Sequence, residues 1–184
     1  RAITIAPERP GALDAIARFV DAGVTVAIGH TDADHAAAQA AIDAGATLAT
    51  HLGNAMPPLH HRAAGPIAAC LQAESITCEL IVDNHHLDPA FVRLVGTVKT
   101  ADRVALITDA IAAAGAGDGR YVLGVLDVEV RDGVARLVTD DGSPGSLAGS
   151  TLTMDAAVRH TVASGLELAD ASVAASLAPA RLIG

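Results

Sequence analysis

Residues 24–51, VTVAIGHTDADHAAAQAAIDAGATLATH, place an alanine-rich segment between two short apolar segments. The apolar segments at 24–29 and 46–50 have the length and residue types of buried strands. The segment between them, 32–45, predicts a helix, for which Asp32 is a suitable N-cap residue. A helix that joins two buried strands is the repeating unit of a parallel sheet, because parallel neighbours need a long crossover connection. This stretch therefore indicates an α/β fold.

The same alternation of apolar strand and helix continues on both sides of this stretch. Strands are predicted at 2–6, 24–29, 46–50, 76–83 and 103–108. Helices are predicted at 9–23, 32–45, about 66–74 and from about 88. Strands that are apolar along nearly their whole length form parallel sheets that helices cover on both faces. We therefore expect one five-stranded parallel sheet.

A different pattern follows the fifth strand. Residues 121–140 alternate apolar and polar types around an Asp-Gly pair at 132–133, which predicts a β-hairpin. We assign a hairpin excursion to 119–142, and then helices at about 151–164 and 170–177. Because the chain opens directly on an apolar strand and ends just after a helix, we interpret residues 1–184 as one segment of a domain that is truncated at both ends.

The composition argues against several classes of protein. Hydrophobic residues make up 51% of the 184 residues, and the net charge is −9. Nucleic-acid binding needs a basic surface, which this charge opposes. The apolar stretches are shorter than the roughly 18 residues of a membrane span, and no secretory signal opens the chain. Two cysteines are too few for a disulfide framework. We expect a cytoplasmic protein with no nucleic-acid or membrane partner.

Polar residues follow four consecutive predicted strands at the point where each strand ends. They are His30, His51, the pair His85–His86, and Asp109. The carboxyl ends of parallel strands are where α/β proteins build their sites. Imidazoles bind divalent metals, and a carboxylate serves as a ligand or as a general acid and base. A lone histidine in such a place is more often a hydrogen-bonded structural residue than a ligand, but several on neighbouring strands favour a metal site.

Four motifs, in this order, resemble the N-acetylglucosamine-6-phosphate deacetylases of the amidohydrolase superfamily: GHTDAD (29–34), THLGNAMPPLHHR (50–62), LITDAI (106–111) and GSLAGSTLTMD (145–155). The resemblance runs over essentially the whole chain. It implies part of a (β/α)8 TIM barrel of the metal-dependent hydrolase type, in which the five predicted strands correspond to strands four to eight and the β-hairpin is an insertion. It also implies hydrolysis of the N-acetyl amide of N-acetylglucosamine 6-phosphate to glucosamine 6-phosphate and acetate.

The resemblance also implies roles for individual residues. His30 and His51 match the metal-binding histidines, and Asp109 matches the catalytic aspartate. Residues that match substrate-binding positions are Asn54, Ala55, His61, Arg62, His86 and Leu147. Arg62 matches an arginine that reaches the phosphate of the neighbouring subunit in a homodimer. The expected cofactor is a divalent metal ion, with zinc as the first expectation and iron, manganese or cobalt as alternatives.

Two positions depart from the family pattern. The glutamate that is the family's other metal ligand lies in a motif similar to HLEGP, which this chain lacks. Gly53 stands where we expect a bulky residue, which predicts a locally wider pocket. Glu8 also follows a strand, and we expect it to support the site by hydrogen bonding rather than to bind the metal. The alternatives are another amidohydrolase that acts on a cyclic amide or a nucleobase, and a barrel fragment that is inactive in isolation.

Overall fold

The computed structural model describes residues 1–141 and 143–184 and contains two separate sheets. The first is a five-stranded parallel sheet in which the strands lie in chain order. Its strands are β1 (Ala2–Ile5), β2 (Thr25–Ile28), β3 (Leu48–Ala49), β4 (Thr77–Ile81) and β5 (Val104–Ile107). The predicted α/β class with one parallel sheet is confirmed, and all five strands lie within the predicted ranges.

Helices connect the parallel strands and close the chain. They are α1 (Ala12–Asp21), α2 (His35–Asp43), α3 (Gly65–Gln72), α4 (Pro89–Val98), α5 (Met154–Ala163), α6 (Leu168–Ser172) and α7 (Ala178–Ile183). A 3-10 turn at Ala101–Arg103 precedes β5, and a π-helical turn at Val173–Leu177 joins the last two helices. The four crossover helices therefore follow the predicted order.

The N-cap of α2 is Asp34, so the prediction of Asp32 is wrong. The Asp34 side chain accepts a hydrogen bond of 2.8 Å from the backbone N–H of Ala37. The backbone N–H of Asp32 instead donates to the Glu8 carboxylate at 3.0 Å, which holds this segment outside the helix. The helix therefore begins about half a turn later than expected, because Glu8, in the loop after β1, already accepts a hydrogen bond from this backbone.

The second sheet has four antiparallel strands and is larger than the predicted hairpin. Its strands are β6 (Gly119–Leu123), β7 (Leu126–Arg131), β8 (Val134–Val138) and β9 (Pro144–Leu147). The turn between β7 and β8 is formed by Asp132 and Gly133, as the sequence predicts. The strand β9 lies beyond the predicted hairpin, in a segment rich in glycine and serine, and it pairs with β8 as an edge strand.

Two hydrophobic cores correspond to the two sheets. The main core packs the parallel sheet against its helices and contains, among others, Ile28, Leu52, Leu80, Val92 and Leu106. A smaller core under the antiparallel sheet contains Ala113, Val128, Val130, Ala135 and Ala148. Among the described residues, no helix has both the length and the apolar character that a membrane span requires.

The two cysteines belong to the main core. Cys70 and Cys78 are both fully buried and unbridged. Burial raises the pKa of Cys70 to about 12 and that of Cys78 to about 11. A thiol with so high a pKa is protonated at neutral pH, so both residues act as small apolar side chains.

Candidate functional site

The carboxyl end of the parallel sheet forms a cleft of about 590 Å³. Its polar lining consists of His30, His51, Asn54, His86, Asp109 and Ser146. Its apolar lining consists of Ala55, Ile81, Leu123, Leu126, Leu137, Leu147, Ala148 and Gly149. Most of the predicted site residues therefore meet in one place, between the ends of the parallel strands and the antiparallel sheet.

The backbone is left-handed at three of the strand ends. His30 has φ 48°, His51 has φ 32° and Asp109 has φ 50°. A residue other than glycine in this region costs on the order of 1–3 kcal/mol and persists only where its surroundings fix it. Such positions cluster at functional sites, so the three strained residues mark the same cleft as the side-chain chemistry does.

The two histidines approach each other through the same ring nitrogen. His30 Nε2 lies 2.9 Å from His51 Nε2, and the ring planes are inclined by 74°. His51 is only 7% exposed, and its Nδ1 atom has no hydrogen-bond partner within the described part of the chain. Burial and the neighbouring His30 lower the pKa of His51. His51 is therefore neutral at neutral pH, which is the form of imidazole that binds a metal.

The backbone around Asp109 is held by the segment that follows β9. The Ser150 N–H donates to the Asp109 carbonyl at 2.8 Å, and the Ile111 N–H donates to the Ser150 carbonyl at 3.0 Å. The Ser150 hydroxyl also donates to the carbonyl of Thr108. In the sequence this glycine- and serine-rich segment is a weak candidate for binding substrate through its N–H groups. The structure shows that Ser150 binds the backbone of the aspartate instead.

His86 is fixed by a carboxylate three residues earlier. Its Nδ1 atom lies 2.7 Å from Asp83 Oδ2, and Asp83 Oδ1 accepts the N–H groups of His85 and His86. Burial alone would raise the pKa of Asp83, but the hydrogen bonds from His86 and His85 lower it to about 2. An ionised carboxylate accepts a hydrogen bond from Nδ1, so Nε2 is the ring nitrogen of His86 that is left for another partner. His85 lies outside this cleft, beside the antiparallel sheet.

His61 and Arg62 lie outside the cleft. Arg62 borders a separate depression together with Asp34, His35 and Gly65. Its guanidinium is 2.8 Å from His61 Nε2, and both residues are exposed. The structure therefore does not bring these two predicted phosphate-binding residues to the histidines and aspartate of their own chain.

Sequence patterns did not predict two features of this end of the parallel sheet, one beside the cleft and one lining it. Glu79 is a half-buried carboxylate on β4. Burial and the negative charge of Asp109 raise its pKa, and together they outweigh the hydrogen bond from the His51 N–H, which lowers it. A single charged residue inside an apolar strand was the available signal. The second feature is the wall formed by Leu123, Leu126 and Leu137, because the hairpin pattern does not reveal what the hairpin packs against.

Gly53 does not line the cleft. A Cβ atom at this position would lie 3.6 Å from the side chains of Leu87 and Phe91. The glycine therefore faces the region of α4, and the expectation that it widens the pocket is wrong.

Within residues 1–141 and 143–184, no group of three or more histidine, cysteine, aspartate or glutamate side chains is arranged to hold a metal ion. His30 and His51 converge as a pair only.

Comparison with known proteins gives a consistent result. The chain is 43% identical over 185 residues to N-acetylgalactosamine-6-phosphate deacetylase of Escherichia coli O157:H7, covering 100% of this chain and 48% of the relative. It is 44% identical to N-acetylglucosamine-6-phosphate deacetylase of Lysinibacillus sphaericus, covering 86% of this chain and 40% of the relative. No family model matches the chain.

Solved structures show the same relationship. A variant of N-acetyl-D-glucosamine-6-phosphate deacetylase from Mycobacterium smegmatis, solved with N-acetyl-D-glucosamine-6-phosphate, matches with a TM-score of 0.94 and 47% identity. The match covers 100% of this chain and 49% of that one. The chain thus spans about half the length of the relatives that it matches, or somewhat less. Over that length, this chain is similar in both sequence and fold to N-acetylglucosamine-6-phosphate deacetylases.

Proposed function

We propose that the complete protein hydrolyses the N-acetyl amide of N-acetylglucosamine 6-phosphate and releases glucosamine 6-phosphate and acetate. The observation that carries this proposal is the meeting of His30, His51 and Asp109 in one cleft, each on a left-handed backbone at a strand end. The relatives named above support the substrate class. We also propose that β1 to β5 are the last five strands of a (β/α)8 barrel into which the antiparallel sheet is inserted.

The histidine pair fits a divalent metal ion. The two Nε2 atoms are 2.9 Å apart, and His51 is buried and neutral. Imidazole nitrogens suit zinc first, and also iron, manganese and cobalt. His30 and His51 would hold the ion together with a glutamate from outside this chain. A bound ion of this kind polarises an amide carbonyl and lowers the pKa of a bound water to about 7.

Asp109 is proposed to move the proton in this reaction. Its carboxylate accepts a proton from the attacking water as the new C–O bond forms at the acetyl carbon. The same carboxyl then gives that proton to the amide nitrogen as the C–N bond breaks, so acetate and a free amine leave. Proton transfer of this kind contributes roughly 10²–10⁴-fold to a rate.

His86 is proposed to stabilise the negative charge that develops on the carbonyl oxygen. Its Nδ1 atom is held by Asp83 at 2.7 Å, which fixes the orientation of the ring. A proton on Nε2 would serve as a hydrogen-bond donor toward the developing oxyanion. A donor that is already in position stabilises such a charge without reorganisation.

The remaining cleft residues are proposed to bind the sugar. The Asn54 side chain donates to the His51 carbonyl at 3.2 Å, which places the turn of Asn54 and Ala55 beside the histidine pair. Leu147 and its apolar neighbours face the same space and suit the apolar face of a sugar ring. The galacto-configured substrate is a second candidate, because a relative that matches the whole chain is named for it.

The exposed pair His61 and Arg62 is proposed to bind phosphate in a neighbouring subunit. Both residues lie outside their own cleft, and the guanidinium is exposed. Arginine suits the bidentate recognition of phosphate. A homodimer in which this loop crosses to the partner would complete the site.

The proposal is tested by Asp109→Asn in the complete protein. We expect the variant to retain its metal and to lose at least about 10²-fold in acetate release, because the amide cannot accept the proton. Metal content and acetate release are measured with both sugar phosphates, and Asp155→Asn on the exposed surface of α5 is the matched control. Normal turnover by Asp109→Asn would contradict the proposed role.

A further inference from the structure

We propose that Glu8 and Thr31 are positioning residues that tie three strand-end loops together and hold His30 in its left-handed conformation. The inference rests on the proposed function for the role of His30. Of the described residues that line the cleft, none is Glu8 or Thr31, so both act through other groups. Their effect on the site runs through the backbone on either side of His30.

Thr31 joins neighbouring loops through its backbone N–H and its hydroxyl. It is only 2% exposed. Its backbone N–H donates to the carbonyl of Ala55 at 3.0 Å. Its hydroxyl donates to the Glu8 carboxylate and accepts the N–H of Ala33 at 3.0 Å. The residue directly after His30 is therefore bonded to the loop after β1, to its own loop and to the loop after β3.

Glu8 provides the anchor on the loop after β1. One carboxylate oxygen accepts the Thr31 hydroxyl, and the other accepts the Asp32 N–H at 3.0 Å. Hydrogen bonds to an ionised carboxylate are about twice as strong as those between neutral groups. An exposed glutamate therefore fixes two successive residues of the loop that carries His30.

This arrangement accounts for two strained positions at once. His30 has φ 48° and Ala55 has φ 50°. Thr31 follows His30 in the chain, and its backbone N–H donates a hydrogen bond to the carbonyl of Ala55. Left-handed residues of this kind are retained only where surrounding contacts fix them. Without these hydrogen bonds, the loops after β2 and β3 can relax independently, and His30 and the Asn54–Ala55 turn lose their relative placement.

The test compares Thr31→Val with Thr31→Ser in the complete protein. Valine removes the hydroxyl at nearly constant shape, whereas serine retains it. Loss of a group that orients a metal ligand typically weakens metal binding about 10–100-fold. We expect Thr31→Val to raise the Kd for zinc at least about tenfold and Thr31→Ser to remain near the wild-type value. Zinc itself is the probe, and its Kd is measured by competition with a chromogenic chelator.

A matched control separates positioning from general destabilisation. Thr161 is 1% exposed, and its hydroxyl donates to the Ala157 carbonyl within α5, away from the cleft. We expect Thr161→Val to lower the free energy of unfolding of the metal-free protein in urea and to leave the zinc Kd unchanged. If Thr31→Val also changes only the unfolding, or if Thr31→Ser weakens zinc binding as much as Thr31→Val does, the inference is wrong.

Variants at Glu8 keep the test decisive if Thr31→Val fails to fold. Glu8→Gln keeps an oxygen for the Asp32 N–H, whereas Glu8→Ala removes both acceptors. We expect the zinc Kd to rise more in Glu8→Ala than in Glu8→Gln, and equal zinc affinities for wild type and Glu8→Ala would overturn the inference. If the wild-type protein binds zinc but releases no acetate, the proposed function fails and the zinc affinities still decide the role of this pair. If it binds no zinc, the inference is wrong, and acetate release alone decides the proposed function.

Discussion

Replacing Gly149 with alanine tests how closely the antiparallel sheet controls Asp109. Gly149 has φ 62°, and a Cβ atom there would lie 2.9 Å from the Asp109 carbonyl oxygen and 2.6 Å from Ile111 Cγ2. The same carbonyl accepts the N–H of Ser150 at 2.8 Å. The added methyl group therefore presses directly on the backbone of the proposed catalytic residue.

The size of the effect follows from these distances. Ordinary contacts of a Cβ atom begin at 3.4 Å, so the methyl group and the Asp109 carbonyl must separate by about half an ångström. A misplacement of about 1 Å costs on the order of 10²-fold in rate, which predicts a roughly tenfold fall in kcat for half that distance. The left-handed backbone costs about 1–2 kcal/mol, and overpacking adds about 1–3 kcal/mol to the loss in stability.

The control is Gly23→Ala, which has a similar backbone and no clash. Gly23 has φ 72°, and a Cβ atom there meets no atom within 4 Å. We expect Gly23→Ala to lower the free energy of unfolding only by the cost of the left-handed backbone and to leave kcat unchanged. Acetate release, zinc Kd and urea unfolding are measured for both variants in the complete protein. If Gly149→Ala keeps the kcat of the control, or if it loses zinc binding instead, Gly149 does not act by placing Asp109.

Two further predictions concern the phosphate and the response to acid. We expect Arg62→Ala to raise KM about 10–100-fold for the phosphorylated sugar and to leave KM for the unphosphorylated sugar unchanged, because a hydrogen bond to a charged group contributes about 1.5–3 kcal/mol. Equal changes in KM for the two sugars would favour a different amidohydrolase substrate. The pKa of Asp83 is lowered to about 2 from 3.8, so its contribution to stability is complete above about pH 4 and is lost as the pH falls toward 2. Asp83→Asn should therefore flatten the dependence of the free energy of unfolding in urea on pH between pH 4 and 2, relative to the wild-type protein. An unchanged slope would show that the Asp83–His86 pair does not form.

The convergence of the site could be predicted because it depends only on sheet geometry. Once residues 24–29 and 46–50 are parallel strands, their carboxyl ends lie at the same edge, and the next residues are His30 and His51. The same reasoning brings Asp109 to that edge after β5. No side-chain detail is needed for this step, and so the pattern of apolar strands was sufficient.

Choices between neighbouring residues of the same type could not be predicted in this way. Asp32 and Asp34 are equally good N-cap residues by type, and Glu8, in the loop after β1, decides between them by accepting the N–H of Asp32. His85 and His86 are likewise adjacent, and the ring of His86 is selected by its hydrogen bond to Asp83. These choices depend on contacts between loops, which local sequence patterns do not encode.

The strained residues of the site are all held by loops rather than by the strands that carry them. His30 is followed by Thr31, which bonds to the carbonyl of Ala55, and the carbonyl of His51 accepts the N–H of Asn54 at 2.9 Å. The carbonyl of Asp109 is held by Ser150 from the segment after β9. The cores beneath the two sheets supply stability, whereas hydrogen bonds between loops set the geometry of the cleft. Substitutions in the core should therefore change the free energy of unfolding with little effect on zinc affinity or kcat, and substitutions in these loops should change zinc affinity or kcat.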